Sequence, residues 1–215
     1  MLYKFLRWCP GLLGLFLRQK LYPRYLKKCA SNVLFGRFVD IFDGRDTILI
    51  GSGVMINDFV TLHGISERNP GATLVIEDNV FIGSGTTVKM TGGAITIGSG
   101  SSLGSSCVVQ SDQSVIIGNN VLVAAYCEIG KNYQKTVFSN ARSIKGETRI
   151  NSGCWLGVRA KINAEVKIGR GTIVGAHAMV TTDFPDNVVV IGNPAEVLRR
   201  RWENNMNTPR ELKQK

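Results

Sequence analysis

Residues 150–181 read INSGCWLGVRAKINAEVKIGRGTIVGAHAMVT, and every sixth residue is aliphatic: Ile150, Leu156, Ile162, Ile168, Val174 and Val180. The residues that follow them are Asn151, Gly157, Asn163, Gly169, Gly175 and Thr181. A period of six is a multiple of two and not of 3.6. It therefore predicts short strands with a turn in each repeat rather than helices. One aliphatic residue per repeat is expected to point inward. The Gly or Asn beside it tolerates the left-handed backbone of a turn.

The same phase fits Ile50, Ile56, Leu62, then Ile76, Ile82, Val88, then Ile97, Leu103, Val109, then Ile117, Val123, Ile129. Cys29, Phe35 and Ile41 extend it toward the N-terminus. Insertions fall only between triplets, so three repeats make one coil of a three-sided prism. Seven coils at the strand spacing of about 4.8 Å give a prism roughly 34 Å tall. The expected class is all-β, a parallel β-helix. Eight residues beyond one repeat separate Leu62 from Ile76, and fifteen separate Ile129 from Ile150. The second insertion is polar and carries Lys131, Lys135, Arg142, Lys145 and Arg149. Long loops on a rigid scaffold are where sites tend to sit.

Outside the repeats, residues 1–28 read as a basic, apolar helical extension. Leu12, Leu13, Leu15, Phe16, Leu17, Leu21 and Tyr25 form an apolar band broken by Pro10, Gly11, Gly14 and Pro23. Two roles suit it: a cap over the open end of the solenoid, or a contact with an anionic membrane surface. The β-helix is expected over 29–183. Over 184–215 we expect a short strand from Val188 to Ile191, a break at Gly192-Asn193-Pro194, and a helix from Ala195 to about Met206.

The chain has 215 residues, 44% apolar and 20% charged, which is globular composition. Its net charge of +10 belongs to the ends. Residues 1–30 hold seven bases and no acid, residues 196–215 six bases and three acids, and the 165 residues between them thirteen of each. A nucleic-acid binder would place a basic stripe on its main domain, so no nucleic-acid partner is expected. The apolar run Leu12–Leu17 is far short of the ~20 residues of a membrane helix, and no small-residue cleavage site follows it. A cytoplasmic protein is expected, with peripheral placement on the inner face of the membrane if residues 1–28 bind lipid. The five cysteines, Cys9, Cys29, Cys107, Cys127 and Cys154, form no CxxC pair. They read as free thiols rather than a zinc site or disulfide scaffold, and no metal is expected.

The segment Cys154-Trp155-Leu156-Gly157, the run Ile168-Gly169-Arg170-Gly171 through Val174–Thr181, and the tail Asp186–Ala195 with its Gly-Asn-Pro-Ala exit together resemble the left-handed β-helix, or hexapeptide-repeat, acyltransferases. The resemblance covers about residues 29–201, and the nearest branch is the sugar and polysaccharide O-acetyltransferases, which have a similar N-terminal lead. It implies an acetyl-CoA-dependent O-acetyltransferase acting on a hydroxyl of a glycan or activated sugar. It also implies a homotrimer with the coenzyme in grooves between neighbouring prisms. Carried over by position, Trp155 and Gly157 line the thioester end of that groove. Gly175, Ala176 and Thr181 meet pantetheine, and Arg199 to Arg201 meet the phosphates, where the planar fork of Arg suits paired oxygens.

The resemblance also implies a histidine base inside the long loop after a coil, because imidazole titrates near neutrality. The matching stretch is Ile129-Gly130-Lys131-Asn132-Tyr133-Gln134, without one. Asn132 or Tyr133 holds the place, depending on the alignment. An amide does not titrate usefully, and a tyrosine titrates near pH 10. Of the two histidines in the chain, His177 reads as structural. His63 lies in the phase of Gly130 three coils earlier, roughly 14 Å away, where it would serve a displaced site with the 62–75 loop and its Glu67. Glu128 and Glu147 are further candidates. A non-catalytic or shifted-base homologue that keeps the trimer and coenzyme groove is the alternative.

Overall fold

The computed structural model describes residues 2–65, 71–111, 113–132 and 146–202. Strands stack in parallel on three faces, each face taking one strand per coil. The first face holds Lys28–Cys29, Ile48–Ile50, Leu74–Ile76, Ile95–Ile97, Ser114–Ile117, Glu147–Ile150 and Lys167–Ile168. The second holds Leu34–Phe35, Met55–Ile56, Phe81–Ile82, Ser102–Leu103, Leu122–Val123, Trp155–Leu156 and Ile173–Val174, followed by Val188–Gly192 and Ala195–Arg200. The third holds Asp40–Phe42, Thr61–His63, Thr87–Met90, Val108–Ser111, Glu128–Lys131, Lys161–Asn163 and Met179–Val180. This is the expected left-handed parallel β-helix, with seven full coils, the first of them built on Cys29, Phe35 and Ile41.

Two residues of each repeat point inward, not one. Besides the periodic aliphatic residue, the residue two positions earlier is buried: Val54 before Ile56, Val60 before Leu62, Cys154 before Leu156, Ala178 before Val180. Strand alternation requires this. The earlier position sits at a corner of the triangle; on the second and third faces it takes Val, Ala, Ser, Thr or Cys, and on the first face also the larger Ile48, Leu74 and Ile95. The hydroxyls and thiols there donate to carbonyls of the next coil. Thr86 Oγ1 meets the Gly104 carbonyl at 2.7 Å, and Ser101 Oγ meets that of Gly118 at 2.7 Å. Cys107 Sγ meets the Ala124 carbonyl at 3.1 Å, Cys127 Sγ that of Gly157 at 3.2 Å, and Cys154 Sγ that of Gly169 at 3.0 Å. Three of the five free cysteines thus do the work of corner hydroxyls.

The turn chemistry also differs from the expectation. The left-handed residue lies three positions after the aliphatic one, as in Gly153 after Ile150, Arg159 after Leu156 and His177 after Val174. The glycine directly after the aliphatic residue is needed for space. A Cβ on Gly157 would lie 2.5 Å from the Ala176 nitrogen in the coil above.

Helix α1 (Leu2–Trp8), helix α2 (Gly11–Leu21) and a 3₁₀ turn (Tyr22–Tyr25) close the first coil. Leu6, Tyr22 and Leu26 join the core, and the Tyr22 ring meets Phe35 edge-on at 5.1 Å. The capping role is therefore filled.

At the other end the expected C-terminal helix is corrected. Ala195–Arg200 is a strand, antiparallel to Val188–Gly192, with Val188 opposite Arg200 and Gly192 opposite Ala195. Ala-Glu-Val-Leu-Arg-Arg carries good helix formers. The open hydrogen-bonding edge of Val188–Gly192 outweighs that local preference, as tertiary context routinely does. The remainder of the expected helix, 203–206, lies outside the described residues.

Candidate functional site

The outward residues of the second face stand in one register column. Leu122, Trp155, Ile173, Val189 and Arg199 are successive partners. Trp155 and Leu122 are each 49% exposed. Trp155 and Arg199 are three strands apart, about 14 Å. Arg199 and Arg200 are exposed, and Arg199 Nη1 lies 3.2 Å from the carbonyls of both Arg200 and Arg201. Arg201 is tied down instead: its Nη1 donates to the Gly171 carbonyl at 2.8 Å, and its guanidinium lies over the Trp202 ring.

Following the chain past Trp155 leads to the corner between the second and third faces. Gly157, Gly175 and Ala176 stack there, with Ala176 exposed. Next to them a groove of about 480 Å³ opens on the third face. Tyr126, Glu128, Arg159, Lys161, His177 and Asn193 line it. Glu128 sits between Lys161 at 3.0 Å and Lys131 at 3.7 Å. The Arg159 guanidinium lies 5.6 Å from the Tyr126 ring centre. Tyr126, Arg159 and His177 all have positive φ, which swings three large side chains out at one corner in successive coils. Gly157, Gly175 and Ala176 thus adjoin both Trp155 and this groove. Thr181, half-buried, lies one corner further on, after Met179–Val180.

The catalytic candidates are not brought together. Asn132 is half-buried just past Glu128–Lys131 of the fifth coil, whereas Tyr133 and Glu67 lie outside the described residues. His63 is on the second coil, three strand spacings away, with its ring edge-on to Phe42 at 5.2 Å. His177, read from sequence as structural, is exposed and lines the groove. Glu147 is on the first face, and a hydrogen bond from Arg149 at 2.7 Å holds its carboxyl below the usual value. Arg159, Lys161 and Tyr126 were not singled out by sequence reasoning. The available signal was phase: Glu128 and Lys161 each directly precede a periodic isoleucine, which makes them outward neighbours on one face.

Residues 147–182 match the family described as bacterial transferase hexapeptide (six repeats). The chain is 30% identical over 167 residues to a probable acetyltransferase, Rv3034c, of Mycobacterium tuberculosis, covering 74% of this chain and 53% of that protein. It is 34% identical over 91 residues to the galactoside O-acetyltransferase of Escherichia coli K12, covering 41% of this chain and 45% of that protein. The chain thus spans about half the length of these relatives. Among solved structures it resembles AntD, an N-acyltransferase from Bacillus cereus in complex with dTDP and Coenzyme A. The TM-score is 0.53 at 19% identity, over 86% of this chain and 89% of that one. The resemblance to the hexapeptide-repeat acyltransferases is borne out.

Proposed function

We propose that the protein is an acetyl-CoA-dependent O-acetyltransferase whose acceptor is a hydroxyl of a glycan or activated sugar. The observation that carries this reading is the run from Arg199 along the second face to Trp155, turning at Gly157 and Ala176 into a polar groove. An elongated coenzyme with an anionic end and a thioester end suits that run. The kinship with acetyltransferases, one of them named for galactosides, supports the chemistry.

In the reaction the acceptor oxygen attacks the thioester carbonyl. A carbon–oxygen bond forms, the carbon–sulfur bond breaks, the hydroxyl proton passes to a base, and the thiolate of CoA leaves and is protonated. Trp155 would flank the thioester, Arg199 and Arg200 the phosphates, and Lys161, Arg159 and Tyr126 the acceptor. We assign the working unit as a homotrimer, in which a neighbouring prism closes the second face. Of the two imidazoles only His177 lines the groove, so His177→Ala tests whether an imidazole takes the proton.

The decisive experiment measures thiol release from acetyl-CoA with a panel of sugar acceptors, alongside calorimetry of CoA binding. Arg199→Ala with Arg200→Ala should weaken binding, most at low salt, because phosphate contacts are screened. No CoA binding, or no effect of the double substitution, removes this assignment of the second face. CoA binding without release for any acceptor favours the second reading, a homologue that keeps the groove without acyl transfer. The missing histidine between 129 and 134 speaks for that reading.

A further inference from the structure

Helix α2 buries an arginine and turns much of its apolar surface outward. An 11-residue amphipathic helix normally buries its leucines and exposes its charges. Here the fully buried residues are Gly14 and Arg18, with Leu17 and Leu21 part-buried against the core beside them. Gly14 lets the backbone of α2 approach Cys9 closely, since a Cβ there would collide with the Cys9 carbonyl. Arg18 is 3% exposed, and its guanidinium donates to the carbonyls of Phe35 at 2.9 Å, Cys9 at 2.7 Å and Leu6 at 3.2 Å. Leu12, Leu13 and Phe16 face outward, 85%, 64% and 56% exposed. On α1, Phe5 and Trp8 share a face at i and i+3 and are exposed as well, while Leu6 goes to the core. Large apolar side chains grouped in this way mark an interaction surface rather than scattered exposure.

The charges near these side chains identify the partner. Lys20 continues the outward row of Phe16 one turn on, and its Nζ lies 5.9 Å from the Phe16 ring centre. Arg24, Lys27 and Lys28 follow, all exposed, and no acid occurs in residues 1–30. A second copy of the chain would bring an identical basic end against this one. An anionic surface meets both the apolar and the basic groups. At 1.5 Å per residue α2 is about 16 Å long, half the thickness of a bilayer's hydrocarbon core. It therefore suits the interface plane, and no described helix is long and apolar enough to cross a membrane.

We propose that the capped end of the prism docks on an anionic lipid bilayer. Phe5, Trp8, Leu12, Leu13 and Phe16 enter the boundary between headgroups and acyl chains, and Lys20, Arg24 and Lys27 face the lipid phosphates. The core side of the same helices stays on the first coil, so capping and docking use opposite faces of one element.

The test is co-sedimentation of the full chain with phosphatidylcholine vesicles, with and without about 30% phosphatidylglycerol, at about 50 mM salt. The wild type should pellet with the anionic vesicles and much less with the neutral ones. The charge-neutral triple substitution Leu12→Ser, Leu13→Ser, Phe16→Ser should weaken that binding at least about tenfold. Its melting temperature should hold, because these side chains lie outside the core. Wild type that fails to pellet, or a triple variant that pellets equally, overturns the proposal. A variant of lower mass in sedimentation velocity, with no vesicle binding by the wild type, assigns the face to a second copy and overturns it too.

Discussion

Asp58 is clasped by Arg37 of the coil below. Its Oδ1 accepts the Arg37 backbone N–H at 2.7 Å, and its Oδ2 accepts Nε at 3.1 Å and Nη2 at 2.7 Å. Partial burial raises the carboxyl's pKa. The Arg37 hydrogen bonds and the Arg37 and Arg18 charges outweigh it and leave the carboxyl below its ordinary value of 3.8. The contribution to stability is therefore complete above the unfolded-state value and is lost as pH falls through the lower folded value. Asp58→Asn should lower the denaturation midpoint at pH 7 by a small step, under about 1 kcal/mol for a solvent-open pair. The gap to wild type should narrow as pH falls below the ordinary carboxylate value and the folded-state carboxyl protonates. Urea titrations across that range read it directly, and a gap that persists in acid would mean that the amide itself disrupts the turn.

Two neighbouring glycines should respond differently to a methyl group. Gly157→Ala puts Cβ 2.5 Å from the backbone nitrogen of Ala176, where nothing flexible can yield. We expect a loss of roughly 2–3 kcal/mol, the upper part of the range for overpacking. Gly153→Ala meets nothing closer than 4.0 Å but must hold a φ of +72°. It should lose only about 1 kcal/mol. Thermal melts of the two variants, prepared in parallel, check the order.

The Cys154 thiol should be nearly inert in the native protein. Burial pushes its pKa up to about 11, and Sγ donates to the Gly169 carbonyl. Only the thiolate reacts with alkylating agents. Iodoacetamide at about pH 8, near the ordinary thiol pKa, should leave Cys154 unlabelled in peptide maps unless denaturant is present. Rapid native labelling would show that the corner opens.

Asn132→His and Tyr133→His should be made separately and assayed with one acceptor. A positioned base contributes about 10²–10⁴-fold, so the variant in the correct register should transfer acetyl faster by a factor in that range. His63→Ala should leave the rate unchanged, because His63 lies on the second coil. A rate abolished by His63→Ala would move the site to the 62–75 loop.

Ile150 to Val180 made the strands, the coil count and the parallel stacking legible, because a repeat of six allows few other arrangements. The second inward position was hidden. Val54, Cys154 and Ala178 share neither type nor a common period signal with Ile48, Leu74 and Ile95, which fill the same position on the first face, so no residue class marks it. The strand at Ala195–Arg200 was hidden because its partner edge, Val188–Gly192, is a tertiary feature. Of the candidate site, Trp155, Gly157 and Ala176 were readable from a motif. The groove formed by Tyr126, Arg159 and His177 was not, because Tyr126 meets Arg159 only when coils separated by a long insertion are stacked. Nor did the apolar band from Leu12 to Leu21 reveal that Arg18 is buried against the prism while Leu12, Leu13 and Phe16 face outward.

A parallel β-helix is a short length of fibre: each coil templates the next, and nothing in the repeat says where to stop. Both ends of the described prism depart from the repeat. The helices plug one end, while at the other the chain doubles back, and Ala195–Arg200 runs against the grain of the stack. A reversed strand carrying Glu196, Arg199 and Arg200 offers an incoming parallel coil the wrong polarity and a charged edge. The same few residues that carry the proposed phosphate contacts thus also set the polarity of the last edge of the second face.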